Sequence, residues 1–219
     1  MDLPRELEWR EAGRILPLDR LGLRLRSAAL PLLADWFRYE LLDKTHCLWI
    51  DADVICIRPI DINQPYIFGY ESALQVGNAV LMAPPGSNLL RKMRALFYSK
   101  EAMIPPWFGS VRRARYRVKK LLRMHKDITT LPYASSGPRA LTWHMRAEGL
   151  VRFVQPREVF YPLSYADVSL LRDPDFDLET VITPQTRCVH LWNQSLQMAN
   201  FTAGDPVGRV FDSLGVARK

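Results

Sequence analysis

The run Cys47-Leu48-Trp49-Ile50-Asp51-Ala52-Asp53-Val54-Ile55-Cys56-Ile57 sets two carboxylates one residue apart between apolar flanks. The pattern predicts a buried strand that reaches a cleft and presents both acids at its end. Two like charges taken out of water are costly unless something neutralises them, so the pair asks for a hard divalent cation, for basic side chains or for a shared proton. As a tripeptide the motif is weak. Asp173, Asp175 and Asp177 repeat it, but in a proline-containing polar segment that reads as a solvated turn, so only Asp51 and Asp53 have apolar walls.

A second group of candidates lies near the end of the chain. Arg187-Cys188-Val189-His190-Leu191-Trp192-Asn193 reads as a strand that delivers His190 and Trp192 to one side. His190 is either the nitrogen ligand that completes an oxygen-rich metal site or a hydrogen-bonded core histidine. Trp192 is placed to stack on a ring or to close over the site. His46, His125 and His144 have no comparable setting.

The elements that must position these groups follow from periodicity. Leu33, Phe37 and Leu41 recur at four-residue spacing after Pro31, which predicts a helix over Pro31 to Asp43. On it Asp35, Arg38 and Leu42 share an edge, as an intrahelical ion pair or as a polar pair turned toward a ligand. The helix runs through Lys44-Thr45-His46 into the carboxylate strand, a unit of the alternating α/β kind. Gln75 to Ala83 reads as another buried strand, stopped by Pro84-Pro85-Gly86. Within it Asn78 is a satisfied structural amide or a group that reaches the cleft to bind a hydroxyl-rich ligand.

Asn88 is expected to cap a helix running to about Lys100, with Leu89, Leu90, Met93 and Phe97 inside. Tyr133-Ala134-Ser135-Ser136-Gly137-Pro138 precedes a helix over Arg139 to Glu148, ended by Gly149. Its start is either an anion site formed by backbone N–H groups near Ser136 and Gly137 or a Pro-initiated helix with a tight entry turn. Short strands are expected at Val151 to Val154 and at Glu158 to Tyr161. Glu11 to Leu25 reads as irregular structure with one short strand.

Val111 to Lys126 is basic at nearly every other position and predicts a basic amphipathic helix, inserted at about 105–126 on the rim of the domain. Three readings stay open for it: a solvated face, a docking surface for anionic lipid, or a nucleic-acid contact. The chain of 219 residues carries 30 Lys and Arg against 23 Asp and Glu, a formal charge of +7 that favours an anionic partner. Its 48% apolar content and its length suit a single folded domain over 1–219 and exclude wholesale disorder. The start lacks the apolar core of a signal peptide, so neither secretion nor a membrane span is expected. Three cysteines, two of them in apolar runs, suit reduced thiols in the cytoplasm.

Ala34-Asp35-Trp36-Phe37-Arg38-Tyr39-Glu40-Leu41-Leu42, followed by Leu48-Trp49-Ile50-Asp51-Ala52-Asp53-Val54, resembles the signature of the sugar-binding Asp-x-Asp glycosyltransferases, and of glycosyltransferase family 32 in particular. The likeness continues through Val76-Gly77-Asn78-Ala79-Val80, Ser136-Gly137-Pro138 and His190-Leu191-Trp192-Asn193, covering about Ala34 to Asn193. It implies an α/β fold of the GT-A type, a Rossmann-like α/β/α sandwich. It also implies a UDP- or GDP-sugar donor bound through Mn2+ or Mg2+, and sugar transfer with retention to a bacterial surface glycan or lipid-linked acceptor. In the family pattern Asp53 and His190 are metal ligands and Asp51 contacts the ribose or the metal. Asp35 and Arg38 hold the donor sugar, with Asn78, Ser136, Gly137 and Trp192 as further donor contacts. The resemblance also implies an N-terminally shortened member, for which a donor-binding protein without activity is the alternative expectation. No specific nucleic acid is expected; contact with the inner face of an anionic membrane is.

Overall fold

The computed structural model describes residues 8, 10–16, 30–99, 103–125, 128–132, 135–193, 204–213 and 215. The short strand expected within Glu11 to Leu25 therefore falls largely outside the described residues, where only a 3-10 turn at Ala12–Arg14 is seen. The architecture is mixed α/β with small sheets. Backbone contacts group it into two compact units, Met1–Cys47 with Met82–Gly149, and Leu48–Leu81 with Leu150–Lys219. Among the described residues no helix is long and apolar enough to cross a membrane.

The first unit is helical. Helix α1 (Leu30–Lys44) packs on α2 (Asn88–Tyr98), and α2 packs on α4 (Pro138–Ala147); α3 (Ser110–Leu121) lies between them in sequence. The buried stripe of α1 is Trp36, Tyr39 and Leu42, while Leu33, Phe37 and Leu41 are only half-buried. Trp36 stacks on Phe97 with ring centroids 5.4 Å apart. The cap of α2 is Ser87, not Asn88: the Ser87 side chain accepts the Leu90 N–H. Its inner side is the expected Leu89, Leu90, Met93 and Phe97, with Leu96. Pro138 sits in the first turn of α4, and Gly149 follows its end with φ +68°, a left-handed conformation that glycine adopts without strain.

An ion-pair network locks α1 to α2. The Arg94 guanidinium forks onto Glu40, with Nε 2.7 Å from Oε1 and Nη2 3.0 Å from Oε2. It also contacts Asp43, and the Tyr98 hydroxyl donates to Glu40 at 3.0 Å. Glu40 is 1% exposed, so its charge depends on these donors.

The second unit is built from three two-stranded pairings. Strand β1 (Trp49–Ile50) runs antiparallel to β4 (Val80–Leu81), β2 (Val54–Cys56) antiparallel to β6 (Cys188–His190), and β3 (Phe68–Gly69) parallel to β5 (Val154–Gln155). The single carboxylate strand expected from the sequence is thus two short strands joined by a turn, and each finds a different partner. Only Val80–Leu81 of the stretch expected as a strand over Gln75 to Ala83 is ladder, with a bridge from Val76 to Tyr70. Val151 to Val154 is mostly a 3-10 turn (Leu150–Phe153). Glu158 to Tyr161 is helical rather than extended: Pro156 caps α5 (Arg157–Phe160). Helix α6 (Pro206–Ser213) packs on the 3-10 segment Tyr165–Arg172, over a core of Leu163, Val168, Leu171, Leu178, Val189, Leu191 and Val207.

Arg94→Ala is expected to destabilise the protein by about 3 kcal/mol in urea unfolding, because Glu40 is left charged and buried. Arg94→Lys should recover only part of the loss, since an ammonium cannot form the two parallel bonds.

Candidate metal centre

Asp51, Ala52 and Asp53 form the turn between β1 and β2. The Val54 N–H donates to the Asp51 carbonyl at 3.1 Å, closing the turn, and the Asp51 N–H donates to the Ala79 carbonyl at 2.8 Å, continuing the pairing with β4. In a straight strand residues i and i+2 stand about 6.6 Å apart. The turn folds the two carboxylates inward instead.

The pairing of β2 with β6 supplies the third group. Val54 faces His190 in register, and the Leu191 N–H donates to the Asp53 carbonyl at 2.8 Å. Asp53 Oδ2 accepts the Asn193 N–H at 3.0 Å, while Oδ1 lies 3.4 Å from His190 Nε2. Ligand atoms of Asp51, Asp53 and His190 all lie within 4.8 Å of one another. Two ligands of one small divalent ion, each about 2.0–2.2 Å from it, stand at most about 4.4 Å apart, so a slight inward adjustment suffices to hold such an ion. Two carboxylates and an imidazole suit a first-row divalent cation or Mg2+.

Surrounding groups hold this arrangement. The Trp49 indole N–H donates to Asp51 Oδ1 at 2.5 Å. His190 is wedged between aromatic rings, its centroid 4.3 Å from Trp192 and 5.6 Å from Tyr161. Its Nδ1 is buried and has no hydrogen-bond partner among the described residues. Trp192 adopts φ +52°, a backbone conformation that bulky residues take only under constraint; its indole N–H donates to the Leu163 carbonyl at 3.3 Å. The Tyr161 hydroxyl accepts the Ala79 N–H at 3.1 Å. Gly77 makes room for it: a Cβ there would stand 2.3 Å from that oxygen.

The charges are mutually adjusted. Burial pushes the Asp53 carboxyl up, but the hydrogen bond and charge of His190 and the N–H of Asn193 outweigh it and hold the group below the usual carboxylate range. Glu71 goes the other way: burial pushes it up, opposed by its bond to Gln75 and by His190. Burial, with Glu71 and Asp51 nearby, drives the Tyr161 phenol far up, so it stays a neutral hydroxyl. Glu71 is the acid that the sequence reading missed. Its only signal in the sequence was its place after the apolar run Tyr66 to Tyr70.

Further along β2 and β6, Cys56 and Cys188 face each other with sulfurs 3.6 Å apart. All three cysteines are free thiols. The Cys188 contact draws the exposed Cys56 thiol down to about 7 against the effect of burial.

Asp35, Arg38 and Ser136 come together in the other unit. Arg38 Nη1 donates to Asp35 Oδ1 at 2.8 Å, and the Ser136 hydroxyl donates to Asp35 Oδ2 at 2.7 Å. The Tyr39 hydroxyl donates to the Ser136 carbonyl at 3.1 Å. The pair on α1 is therefore an ion pair within the helix and also the contact that positions the entry to α4. Gly137, buried, precedes the first turn of α4. Asn78 is buried in the second unit, next to the residue whose N–H Tyr161 accepts. Asp173 and Asp175 are exposed, as a solvated turn requires, and Asp177 caps a 3-10 turn at Leu178–Thr180.

No family model matches the chain, and neither a curated protein nor a solved structure matches it.

Gly77→Ala is expected to cost about 1–3 kcal/mol and to displace Tyr161 from Ala79, read as a lowered urea midpoint. Mn2+ titration followed by paramagnetic resonance should show one bound ion in the wild type, with affinity at least tenfold weaker in Asp53→Asn and in His190→Ala.

Proposed function

We propose that this chain is a metal-dependent glycosyltransferase of the GT-A type, acting in the cytoplasm on a UDP- or GDP-sugar and a glycan or lipid-linked acceptor in bacterial surface polysaccharide synthesis. The observation that carries the reading is the convergence of Asp51, Asp53 and His190, with ligand atoms inside 4.8 Å. His190, far along the chain from the Asp51-Ala52-Asp53 turn, is singled out for that role by the same sequence likeness, and it comes within reach of both carboxylates.

Asp53 and His190 are the direct ligands in this reading, and Asp51 is a ligand or a ribose contact. The chemistry that a bound Mn2+ or Mg2+ supplies here is positive charge for a diphosphate leaving group. The chain's own part is to hold the two carboxylates close and to keep Asp53 ionised, which its hydrogen bonds achieve. Trp192, packed edge-on against His190, restricts water on that side of the imidazole. Asp35 and Arg38 are assigned to donor hydroxyls on the sequence likeness, with Ser136 fixing the Asp35 carboxylate. Transfer with retention, again from the likeness, asks for no dedicated base among these residues.

Calorimetry with a panel of UDP- and GDP-sugars, with and without Mn2+, tests the reading. One donor should bind only with the ion, and Asp53→Asn, checked to be folded, should weaken it at least tenfold. Ser136→Ala should weaken sugar-bearing donors more than the free nucleoside diphosphate. Failure of every donor to bind the folded, Mn2+-loaded protein would overturn the reading.

A further inference from the structure

Helix α3 carries its apolar stripe on the side turned away from the protein. Val111, Ala114, Val118, Leu121 and Leu122 follow the i, i+3, i+7, i+10, i+11 spacing of one helix face. All are exposed, Val111 and Leu121 at 83%, Val118 at 55% and Leu122 at 62%. The side that holds the helix in place is opposite. At 100° per residue Tyr116 lies about 160° from Val118, and it is the only residue of α3 that is buried. Its ring packs on Phe108 and His125 at centroid distances of 5.4 and 5.1 Å, and its hydroxyl donates to the Thr130 carbonyl.

Cations flank the stripe on both edges. From Val111 to Met124 basic residues alternate with apolar ones and none is acidic; Arg112, Arg115, Arg117 and Lys120 are exposed. Arg112 and Lys119 lie over the rings of Phe108 and Tyr116, at 5.1 and 4.9 Å, so their stems are held along the helix. An open depression of about 470 Å³ lined by Gly109, Ser110, Val111, Arg112 and Arg115 adjoins the first turn.

We propose that α3 is an interfacial helix that docks this protein on a bilayer containing anionic phospholipid. The stripe enters the boundary between headgroups and acyl chains, and the two basic edges meet the phosphates. Exposed valine and leucine between two cationic edges fit a plane that is apolar below and negatively charged above. A nucleic-acid backbone would leave the stripe in water, and α3 offers no outward aromatic ring for base stacking. The proposal rests on α3 alone and stands whether or not the metal centre binds a sugar nucleotide.

The test is co-sedimentation of the full chain with vesicles of phosphatidylcholine alone and with phosphatidylglycerol added. Two variants separate the contributions: Val118→Ser with Leu121→Ser, and Arg115→Glu with Arg117→Glu. All these side chains are exposed, so melting temperature and Mn2+ affinity should not change. Expected is binding that requires phosphatidylglycerol and falls at least tenfold in each variant. In addition, Leu121→Trp should show a blue-shifted emission increment only with those vesicles. Binding unchanged in the serine variant, or a Leu121→Trp emission that stays at its aqueous position, would overturn the proposal. So would wild-type binding to RNA at physiological salt that outcompetes the vesicles.

Discussion

The pairing of β2 with β6 is the contact on which the metal centre depends. Asp53 enters it three ways: its carbonyl accepts the Leu191 N–H, its Oδ2 accepts the Asn193 N–H, and its Oδ1 faces His190 Nε2. A register slip of one residue would turn His190 to the other face of the ladder and leave two aspartates without the group that holds one of them ionised. The hydrophobic cluster around Val189 and Leu191 guards against that slip, because the same shift would expose both. Core packing and site geometry are therefore one constraint, expressed on alternate residues of a three-residue strand.

The aromatic shell extends that constraint. Tyr161 touches His190 on one side and the backbone of Ala79 on the other, and Ala79 accepts the N–H of Asp51. The two strand pairs that carry Asp51 and His190 thus share one buried phenol, neutral at any ordinary pH because burial and two nearby acids disfavour its anion. Gly77 is the residue that allows this approach, since any Cβ there would occupy the place of the hydroxyl. The positive φ of Trp192 belongs to the same assembly: the strand ends at His190, and the chain turns sharply to lay the indole across the imidazole.

Residue types were legible in the sequence where chemistry is written in side chains, and geometry was not where it depends on distant partners. Asp51, Asp53 and His190 could be named from their flanks, but only long-range pairing decides that they meet. The same nonlocality hid Glu71, whose carboxyl lies among buried groups that its neighbours in sequence do not announce. Helix bounds were read well because periodicity is local: α1, α2 and α4 lie within about a turn of the expected bounds, although α1 buries Trp36, Tyr39 and Leu42 in place of Leu33, Phe37 and Leu41. Short apolar runs were read badly. Glu158 to Tyr161 has the composition of a strand, yet Pro156 starts a helical turn there. The carboxylate run was expected as one strand, but two successive ladders with different partners require a break, and the small Ala52 lies in it.

Helices α2 and α3 show where periodicity stops informing. Both are amphipathic with apolar residues at helical spacing, and by pattern alone both stripes should face inward. In α2 the stripe of Leu89, Leu90, Met93 and Phe97 is buried against α1 and α4. In α3 one tyrosine on the far side is buried instead, and the stripe faces out. The difference lies in what each polar face can satisfy. Arg94 and Tyr98 of α2 reach the acids of α1, so turning its apolar face inward completes an ion-pair network. In α3 Arg112 and Lys119 instead lie over the rings of Phe108 and Tyr116, contacts that hold the helix by the side opposite its stripe. A helix whose outward face is apolar and whose edges are uniformly cationic keeps its favourable surroundings for something that is both, and an anionic bilayer surface is such an environment.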